Sequence, residues 1–357
     1  MKTPFTLLFF CIVICTENIA QQLPTNSFYQ MNWQTINPAT LDRAFYTKFW
    51  AEMPISIVTA SYRQQWIGFK EAPSNAFLSY ERIINDDDPR YGNFSKWGFN
   101  VFRNSVGAFS TYGIHGNYNY RFHIGEGQML QIGFSPGIIR TQIGEISTSY
   151  VSSPGSTLTN TDTWLQSRQG QSRLIFDLSA GIFYCNKSND DRQIFCGLSI
   201  PQLADIGLSD TSRNNKSIST NLRKPQINLL AGMFIDPLGD YEEWVLLEPS
   251  ILVKYTPRIQ QGTLLKQIPL AIDFNFRSYF SLEKFISSSI QNFWLGAGYG
   301  SNANLNIELG VTKAFSDTRT NTEGRFVRLG ILYGVPLGNR YNNFGQTIEA
   351  LLAVSLE

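Results

Sequence analysis

The chain has 357 residues, of which 16% are charged and 14% are aromatic, and its formal net charge is +1. This near-neutral balance favours neither a nucleic acid nor an acidic partner. Few charges combined with many aromatic residues are unusual for a soluble domain, in which roughly a quarter of the residues are charged.

The first twenty residues are predicted to be a secretory signal peptide. Lys2 supplies a positive charge, residues 5–15 form an apolar run, and Ala20 offers a small residue for cleavage before Gln21. This run is too short to span a bilayer as a helix. A lipoprotein signal ending at Cys15 is a weaker alternative, because the residues just before Cys15 are bulky. We therefore predict three parts: a signal peptide at 1–20, an N-terminal periplasmic or plug segment at 21–43, and a β-barrel at 44–357.

Apolar and polar residues alternate along most of the chain after the predicted signal peptide. Within residues 304–311, for example, Leu, Ile and Val occupy the odd positions, and Asn, Glu and Gly occupy the even ones. A soluble β-sandwich also alternates, but these segments run for about nine to thirteen residues, enough for tilted strands to cross a bilayer. A sheet in a bilayer must close to pair its edges. The pattern therefore predicts an all-β fold, a transmembrane outer-membrane β-barrel.

The alternating segments predict about fourteen antiparallel strands. They cover 44–61, 75–84, 97–108, 112–124, 127–142, 172–185, 192–200, 223–235, 243–256, 266–278, 290–300, 303–315, 325–335 and 346–357. An even number places both chain ends on the periplasmic side. With that orientation the two longest connections, 143–171 and 201–222, lie outside the cell, and 85–96 is a long periplasmic turn.

Two cysteines follow the predicted signal peptide, at Cys185 and Cys196, on either side of a polar connection. A cross-strand disulfide is one possibility in an oxidising compartment. Two free thiols packed on the barrel wall are the other. The spacing lacks the further ligands that a zinc site needs.

No other cluster of residues predicts a metal or catalytic site. His115 and His123 share one face of a predicted strand, about 27 Å apart at roughly 3.4 Å per residue, so they cannot bind one metal. Both are expected to face the lumen. Residues 86–88 are three aspartates, but the pattern of an EF-hand loop is missing. Residues 298–304 are rich in glycine without opening a helix, so they predict a turn. We expect no cofactor.

Two motifs in the first quarter of the chain are more specific. The first is Asn-Pro-Ala at residues 37–39, and the second is an Arg-Gln-Gln-Trp core within residues 61–83, followed shortly by Ala-Pro. In this order they resemble the PorP/SprF family of outer-membrane proteins of the type IX secretion and gliding machinery. The residues that carry the resemblance are Asn37, Pro38, Ala39, Arg63, Gln64, Gln65, Trp66, Gly68, Phe69, Ala72 and Pro73.

The resemblance implies an integral outer-membrane barrel that helps a cognate secreted adhesin, usually a very large one, to reach or stay on the cell surface. It also implies association with the periplasmic ring and motor components of the secretion system. The expected partners are therefore the adhesin, these components and outer-membrane lipids.

Each motif has a structural and a functional interpretation. Arg63 could stack on Trp66 or pair with a lumen carboxylate, while Gln64 and Gln65 satisfy backbone groups at the barrel mouth. Such a clasp is the structural role, and a docking surface for the secreted protein or a machinery component is the functional one. In the other motif, Asn37-Pro38 could seat a plug or begin the first strand.

Two other functions compete with an accessory of secretion. A barrel of fourteen strands could leave an aqueous lumen, as in a solute-diffusion porin. The connection 143–171 carries only three charged residues, which is a thin basis for a selective constriction. An outer-membrane enzyme is the third possibility, but no group of residues suggests a catalytic site. The sequence therefore predicts a non-enzymatic protein.

Overall fold

The structure, a computed structural model, describes thirteen stretches of the chain. They are residues 33–40, 55–69, 71–84, 93–144, 169–189, 192–211, 226–237, 245–255, 270–282, 292–300, 304–317, 322–337 and 345–356. The predicted signal peptide, residues 86–88 and most of the connection 143–171 lie outside these ranges.

The described residues form fourteen strands preceded by a short 3-10 turn at Trp33–Thr35. The strands are β1 Ser56–Gln64, β2 Ser74–Ile83, β3 Phe94–Val106, β4 Phe109–Gly125, β5 Gln128–Ile143, β6 Ser172–Asn189, β7 Arg192–Thr211, β8 Ile227–Ile235, β9 Val245–Tyr255, β10 Leu270–Ser281, β11 Asn292–Gly300, β12 Asn304–Asp317, β13 Thr322–Pro336 and β14 Thr347–Ser355. In the described part of the chain, no helix is both long enough and apolar enough to cross a membrane.

The strands form one closed antiparallel barrel in which each strand pairs with its neighbours in sequence. The ring closes because β1 pairs with both β2 and β14: Arg63 lies opposite Asn75 on one side and Glu349 on the other. Closure leaves no strand edge unpaired, as a bilayer requires. The predicted fold class and the number of strands are both confirmed.

Two predicted strand boundaries were wrong. The first strand runs past residue 61 to Gln64, so Arg63 belongs to a strand and the connection to β2 is only residues 65–73. Its predicted start at residue 44 lies outside the described ranges. Strand β7 continues to Thr211, so the first half of the predicted connection 201–222 is sheet. In both places the sequence contains polar or turn-forming residues, which are typical of a connection. The strand nevertheless continues there, because it pairs with its neighbour.

The barrel is apolar outside, whereas many of the side chains that face the lumen are polar or charged. Along β14 the side chains alternate strictly: Leu352 is 41% exposed on the outer face, whereas Glu349 is fully buried in the lumen. The same alternation exposes large apolar side chains on the outer face of other strands. Examples are Ile114, Phe134, Ile182, Leu295, Leu309 and Ile331. Such a surface is stable against hydrocarbon and not against water.

Several charged side chains in the lumen form ion pairs. Arg277 on β10 binds Glu308 on β12 with two hydrogen bonds, one of them 2.6 Å between Nη2 and Oε2. Lys254 and Asp273 lie 2.6 Å apart, and Lys96 pairs with Glu81. Pairing is necessary because the loss of hydration of an isolated buried charge costs a free energy on the order of several kcal/mol.

The two cysteines face opposite sides of the wall. In the β6–β7 ladder Cys185 lies opposite Phe195, and Cys196 lies opposite Tyr184, one step out of register. Since successive residues of a strand point to opposite faces, Cys185 is buried inside the barrel and Cys196 is exposed outside. Both are free thiols. The disulfide alternative is therefore wrong, and the free-thiol alternative describes the molecule.

The outer surface leads to a first prediction. Leu309 points outward from the middle of β12, next to the lumen residue Glu308. We expect Leu309→Arg to lower the free energy of unfolding in lipid bilayers by about 2–4 kcal/mol, because the cation would lie in hydrocarbon. Urea titration of the protein refolded in vesicles measures the change. Leu309→Ile is the control, with a change within about 1 kcal/mol. Equal stability of the Arg variant would contradict a lipid-facing position.

Candidate functional site

The Asn-Pro-Ala motif lies inside the barrel, within residues Trp33–Thr40, which we call the lumen segment. Its backbone is compact: the amides of Ile36 and Asn37 both donate to the Trp33 carbonyl, and the Thr40 amide donates to the Asn37 carbonyl. The Asn37 side-chain oxygen also accepts a 2.9 Å hydrogen bond from the Ala39 amide. This is the local turn that an asparagine before proline favours.

Side chains and backbone groups of the surrounding wall hold the lumen segment. The Asn37 side-chain amide donates to the Ile182 carbonyl at 3.0 Å. In the other direction, the side chains of Asn228 and Lys96 donate to the carbonyls of Ile36 and Thr40, at 3.2 and 3.3 Å. These hydrogen bonds satisfy buried backbone groups that lie outside the strand ladders, as burial requires.

Three glycines make room for the motif. A Cβ atom on Gly133 would collide with the Pro38 carbonyl, and one on Gly181 would collide with the Asn37 side-chain oxygen. On the next strand, a Cβ on Gly197 would lie 2.7 Å from Asn37 Nδ2. Strands β5, β6 and β7 therefore present a smooth patch of bare backbone, which we call the glycine seat. It allows the motif to approach closely enough to reach strand carbonyls.

An aromatic cluster anchors the start of the lumen segment. The Trp33 ring lies 5.5 Å from that of Phe183 and 5.2 Å from that of Phe195. The same buried cluster contains Cys185 and reaches the opposite wall at Trp294. The lumen at this level is thus packed with side chains, and burying Trp33 is a substantial part of what fixes the segment.

The second motif lies at the rim of the barrel. We call residues 65–73 the rim loop; residue 70 is outside the described ranges. The Gln65 amide donates to the Pro73 carbonyl at 2.8 Å, which closes the base of the loop. Trp66, Gly68 and Glu71 adopt positive φ angles of 52°, 93° and 58°. For tryptophan this conformation is uncommon and indicates a tightly constrained turn.

The rim loop is tied to the connections on both sides. The Ile67 amide donates to the Gln346 carbonyl at 3.0 Å, and the Glu71 carbonyl accepts from Gly107 at 3.2 Å. Backbone atoms of Trp66 lie so close to Gly345 that a side chain there would collide. The loop therefore joins the β3–β4 connection to the residues before β14.

Arg63 and its neighbours divide between the lumen and the rim. Arg63 Nε lies 4.0 Å from Glu349 Oε2, so it pairs with a lumen carboxylate, one of its two predicted contacts. Gln64 Nε2 donates to the Gln65 carbonyl at 3.4 Å. At the crest of the loop Ile67 is exposed and Phe69 is 54% exposed, so their apolar side chains are available to a partner.

The polar contacts of the two motifs involve different strands. The hydrogen bonds of the lumen segment reach β3, β6 and β8, whereas the hydrogen bonds and the ion pair of Arg63 and the rim loop involve β14, the residues before it and the β3–β4 connection. The two motifs are therefore two separate sites.

A third group was missed by reasoning from the sequence alone. His115 Nε2 lies 2.9 Å from Asp177 Oδ2 in the lumen, and its ring stacks on Phe102 at 5.7 Å. The predicted inward position of His115 is confirmed, whereas His123 is exposed near the end of β4. The sequence did not mark Asp177 as a site residue, because His115, its partner, is 62 residues away in the chain.

The glycine seat provides a second prediction. Gly133→Ala should displace the lumen segment, because overpacking against backbone costs about 1–3 kcal/mol. The buried thiol of Cys185 then becomes a reporter. In a chain with Cys11, Cys15 and Cys196 replaced by serine, we expect maleimide to label Cys185 roughly 5- to 150-fold faster than in the matched parent.

Gly116→Ala is the control for this experiment, because a Cβ on Gly116 meets nothing within 4 Å. Its labelling rate should equal that of the parent. Unchanged labelling in the Gly133 variant would contradict the seat.

Comparisons with known proteins agree with this architecture. No curated protein matches the chain. Among solved structures, a deletion mutant of the TodX monoaromatic hydrocarbon channel has a TM-score of 0.50 at 11% identity, covering 90% of this chain and 92% of that one. A second TodX deletion mutant scores 0.50 at 10% identity, over 90% and 94%. The Pseudomonas putida toluene transporter TodX scores 0.47 at 10% identity, over 94% and 95%.

At such low identity the first two likenesses establish only the fold, an outer-membrane barrel. The model of one protein family, the type IX secretion system membrane proteins PorP/SprF, matches residues 18–353, which is nearly the whole chain. This match includes both the lumen segment and the rim loop. The chain therefore belongs to the PorP/SprF family of type IX secretion system membrane proteins.

Proposed function

We propose that this barrel assists the secretion or surface attachment of one cognate, large adhesin, and that it does so without catalysing a reaction. Membership of the PorP/SprF family places the chain in the type IX secretion system and in the outer membrane. The observation that carries the finer proposal is the occupied lumen. A barrel with its own chain packed inside is better suited to hold or position a partner than to conduct solutes.

The lumen argues against the alternative, a solute-diffusion porin. One buried apolar cluster contains Trp33, Ile36 and Ala39 of the lumen segment. It also contains inward-facing side chains from several parts of the barrel wall, among them Tyr279 and Leu351. A porin needs a continuous aqueous path lined by polar groups. The lumen segment therefore has the position of a plug, which is the role we propose for it.

The two sites fit two groups of partners. If both chain ends are periplasmic, as in bacterial outer-membrane barrels, the rim loop faces the outside of the cell. Its exposed Ile67 and Phe69 would then meet the adhesin. The periplasmic ring and motor components would then meet the opposite end of the barrel.

This proposal predicts a selective defect. Deleting the gene should abolish surface display of one adhesin, while other outer-membrane proteins stay at normal levels. Restoring the gene with Ile67→Ser and Phe69→Ser together should leave the barrel folded but weaken adhesin binding by about 2 kcal/mol or more, the range typical of central apolar contacts. Surface immunolabelling and co-purification from native membranes measure the two effects.

Leu356→Ser is the matched control, because Leu356 is also an exposed apolar residue but lies at the opposite end of the barrel. It should restore display fully. Normal adhesin display in the deletion strain would overturn the proposed function. Solute flux through the purified barrel above that of protein-free liposomes would instead favour the porin.

The clasp role of Trp66 is tested separately. Because Trp66 lies in the constrained turn that joins two neighbouring connections, Trp66→Ala should destabilise the barrel by about 1–3 kcal/mol. The temperature at which the folded band disappears in gel electrophoresis reports this loss. Phe69→Ala, at the exposed crest, should leave that temperature unchanged. A stable Trp66→Ala barrel that fails to bind the adhesin would assign Trp66 to docking.

A further inference from the structure

A second feature of the lumen lies beyond the proposed function. On the rim side of the lumen segment there is a cavity that is partly open to solvent. Gln34 and Thr35 of the segment form one side of it. Asn75, two residues after the rim loop, and Gln226, just before β8, line it as well. The cavity is therefore bounded by the lumen segment at one end and approached from the rim.

Three buried polar atoms around this cavity have no hydrogen-bond partner among the described residues: Asp177 Oδ1, Gln202 Nε2 and Gln34 Nε2. Their residues are 2%, 7% and 9% exposed. Each side chain is oriented by a neighbour or by its backbone. Asp177 is held by His115 through its other oxygen, and Gln34 accepts a 3.1 Å hydrogen bond from Asn117. Buried polar groups are rarely left unpaired, so these three atoms are expected to bond to a molecule in the cavity, either water or a larger ligand.

Gln202 is placed by an irregularity in the wall. In the β6–β7 ladder Ala180 lies opposite Ile200 but Leu178 lies opposite Ala204, so residues 201–203 bulge opposite a single residue. Gln202 itself has a φ of 66°, a left-handed conformation that is unfavourable for glutamine. Bulges commonly redirect a side chain next to a functional site. Here the bulge places the amide of Gln202 at the cavity.

The remaining lining restricts the chemistry of the ligand. Asp177 is the sole carboxylate among the described lining residues, which include no lysine or arginine, so anions are disfavoured. Phe77 and Phe102 supply apolar faces. A carboxylate oxygen accepts hydrogen bonds only, whereas an amide NH₂ group donates them. The ligand must therefore donate to Asp177, accept from Gln34 and Gln202, and lay an apolar face on phenylalanine.

We propose that this cavity binds a neutral saccharide. Each sugar hydroxyl both donates and accepts, and the C–H face of a sugar ring packs on aromatic rings. A peptide also offers donors and acceptors. However, a peptide inserted by its carboxyl end would bring a second carboxylate towards Asp177, so the observations favour the saccharide.

Calorimetry of the full detergent-purified barrel tests this proposal with maltose, cellobiose and N,N′-diacetylchitobiose as probes. We expect at least one of them to bind at one site per chain. Asp177→Asn and Gln202→Ala should each weaken that binding tenfold or more. Gln193→Ala is the matched control, since Gln193 is a buried amide on the same strand that bonds to Cys185 at the other end. This variant should bind like the parent.

The possible results distinguish a glycan chain from a free sugar, and a saccharide from a peptide. If maltose binds, equal or tighter binding of maltoheptaose would assign the site to the end of a glycan chain, and weaker binding would assign it to a free sugar. No binding of any saccharide, affinity unchanged in both cavity variants, or preference for N-acetyl-trialanine amide would overturn the proposal. Adhesin display in the deletion strain is a separate measurement, so failure of one proposal leaves the other intact.

Discussion

The pairing of β1 with β14 is the constraint on which the rest of this molecule depends. In hydrocarbon no water can satisfy the backbone groups of an open sheet edge, so the sheet must close. Closure separates the two faces of every strand completely, one to lipid and one to the lumen. Arg63 and Glu349, opposite each other at this seam, show the result: both charges point inward and pair.

The enclosed lumen then imposes its own requirement. Charges facing inward must be paired, as in Arg277 with Glu308, or they would lose too much hydration. A segment of chain placed in this lumen must likewise satisfy its own backbone. The lumen segment does so through Asn37, which bonds both to its own turn and to the wall. The glycine seat is the complementary feature of the wall, because only bare backbone lets Asn37 reach a strand carbonyl.

The alternation of residue types was enough to predict the barrel and its fourteen strands, because period two is a local property that lipid and lumen enforce on every strand. The alternation did not predict where the first strand ends, and Arg63 was therefore assigned to a connection. The end of a strand depends on where its neighbour stops pairing, which is not a local property. The cysteines illustrate the same limit. Cys185 and Cys196 are close in sequence, but a single step of register decides that they face opposite sides.

The contacts of the candidate sites were out of reach for a related reason. The Asn-Pro-Ala motif could be recognised, but Asn37 binds a carbonyl 145 residues away, and no local pattern marks Gly133, Gly181 and Gly197 as its seat. Gln202 is a similar case, because a bulge is defined by two strands together. The lumen segment joins these long-range features: Asn37 rests on the seat, while Gln34, three residues earlier, borders the cavity. A displacement of Asn37 would therefore be expected to displace one wall of that cavity, so a ligand in the cavity and the seating of the segment would influence each other.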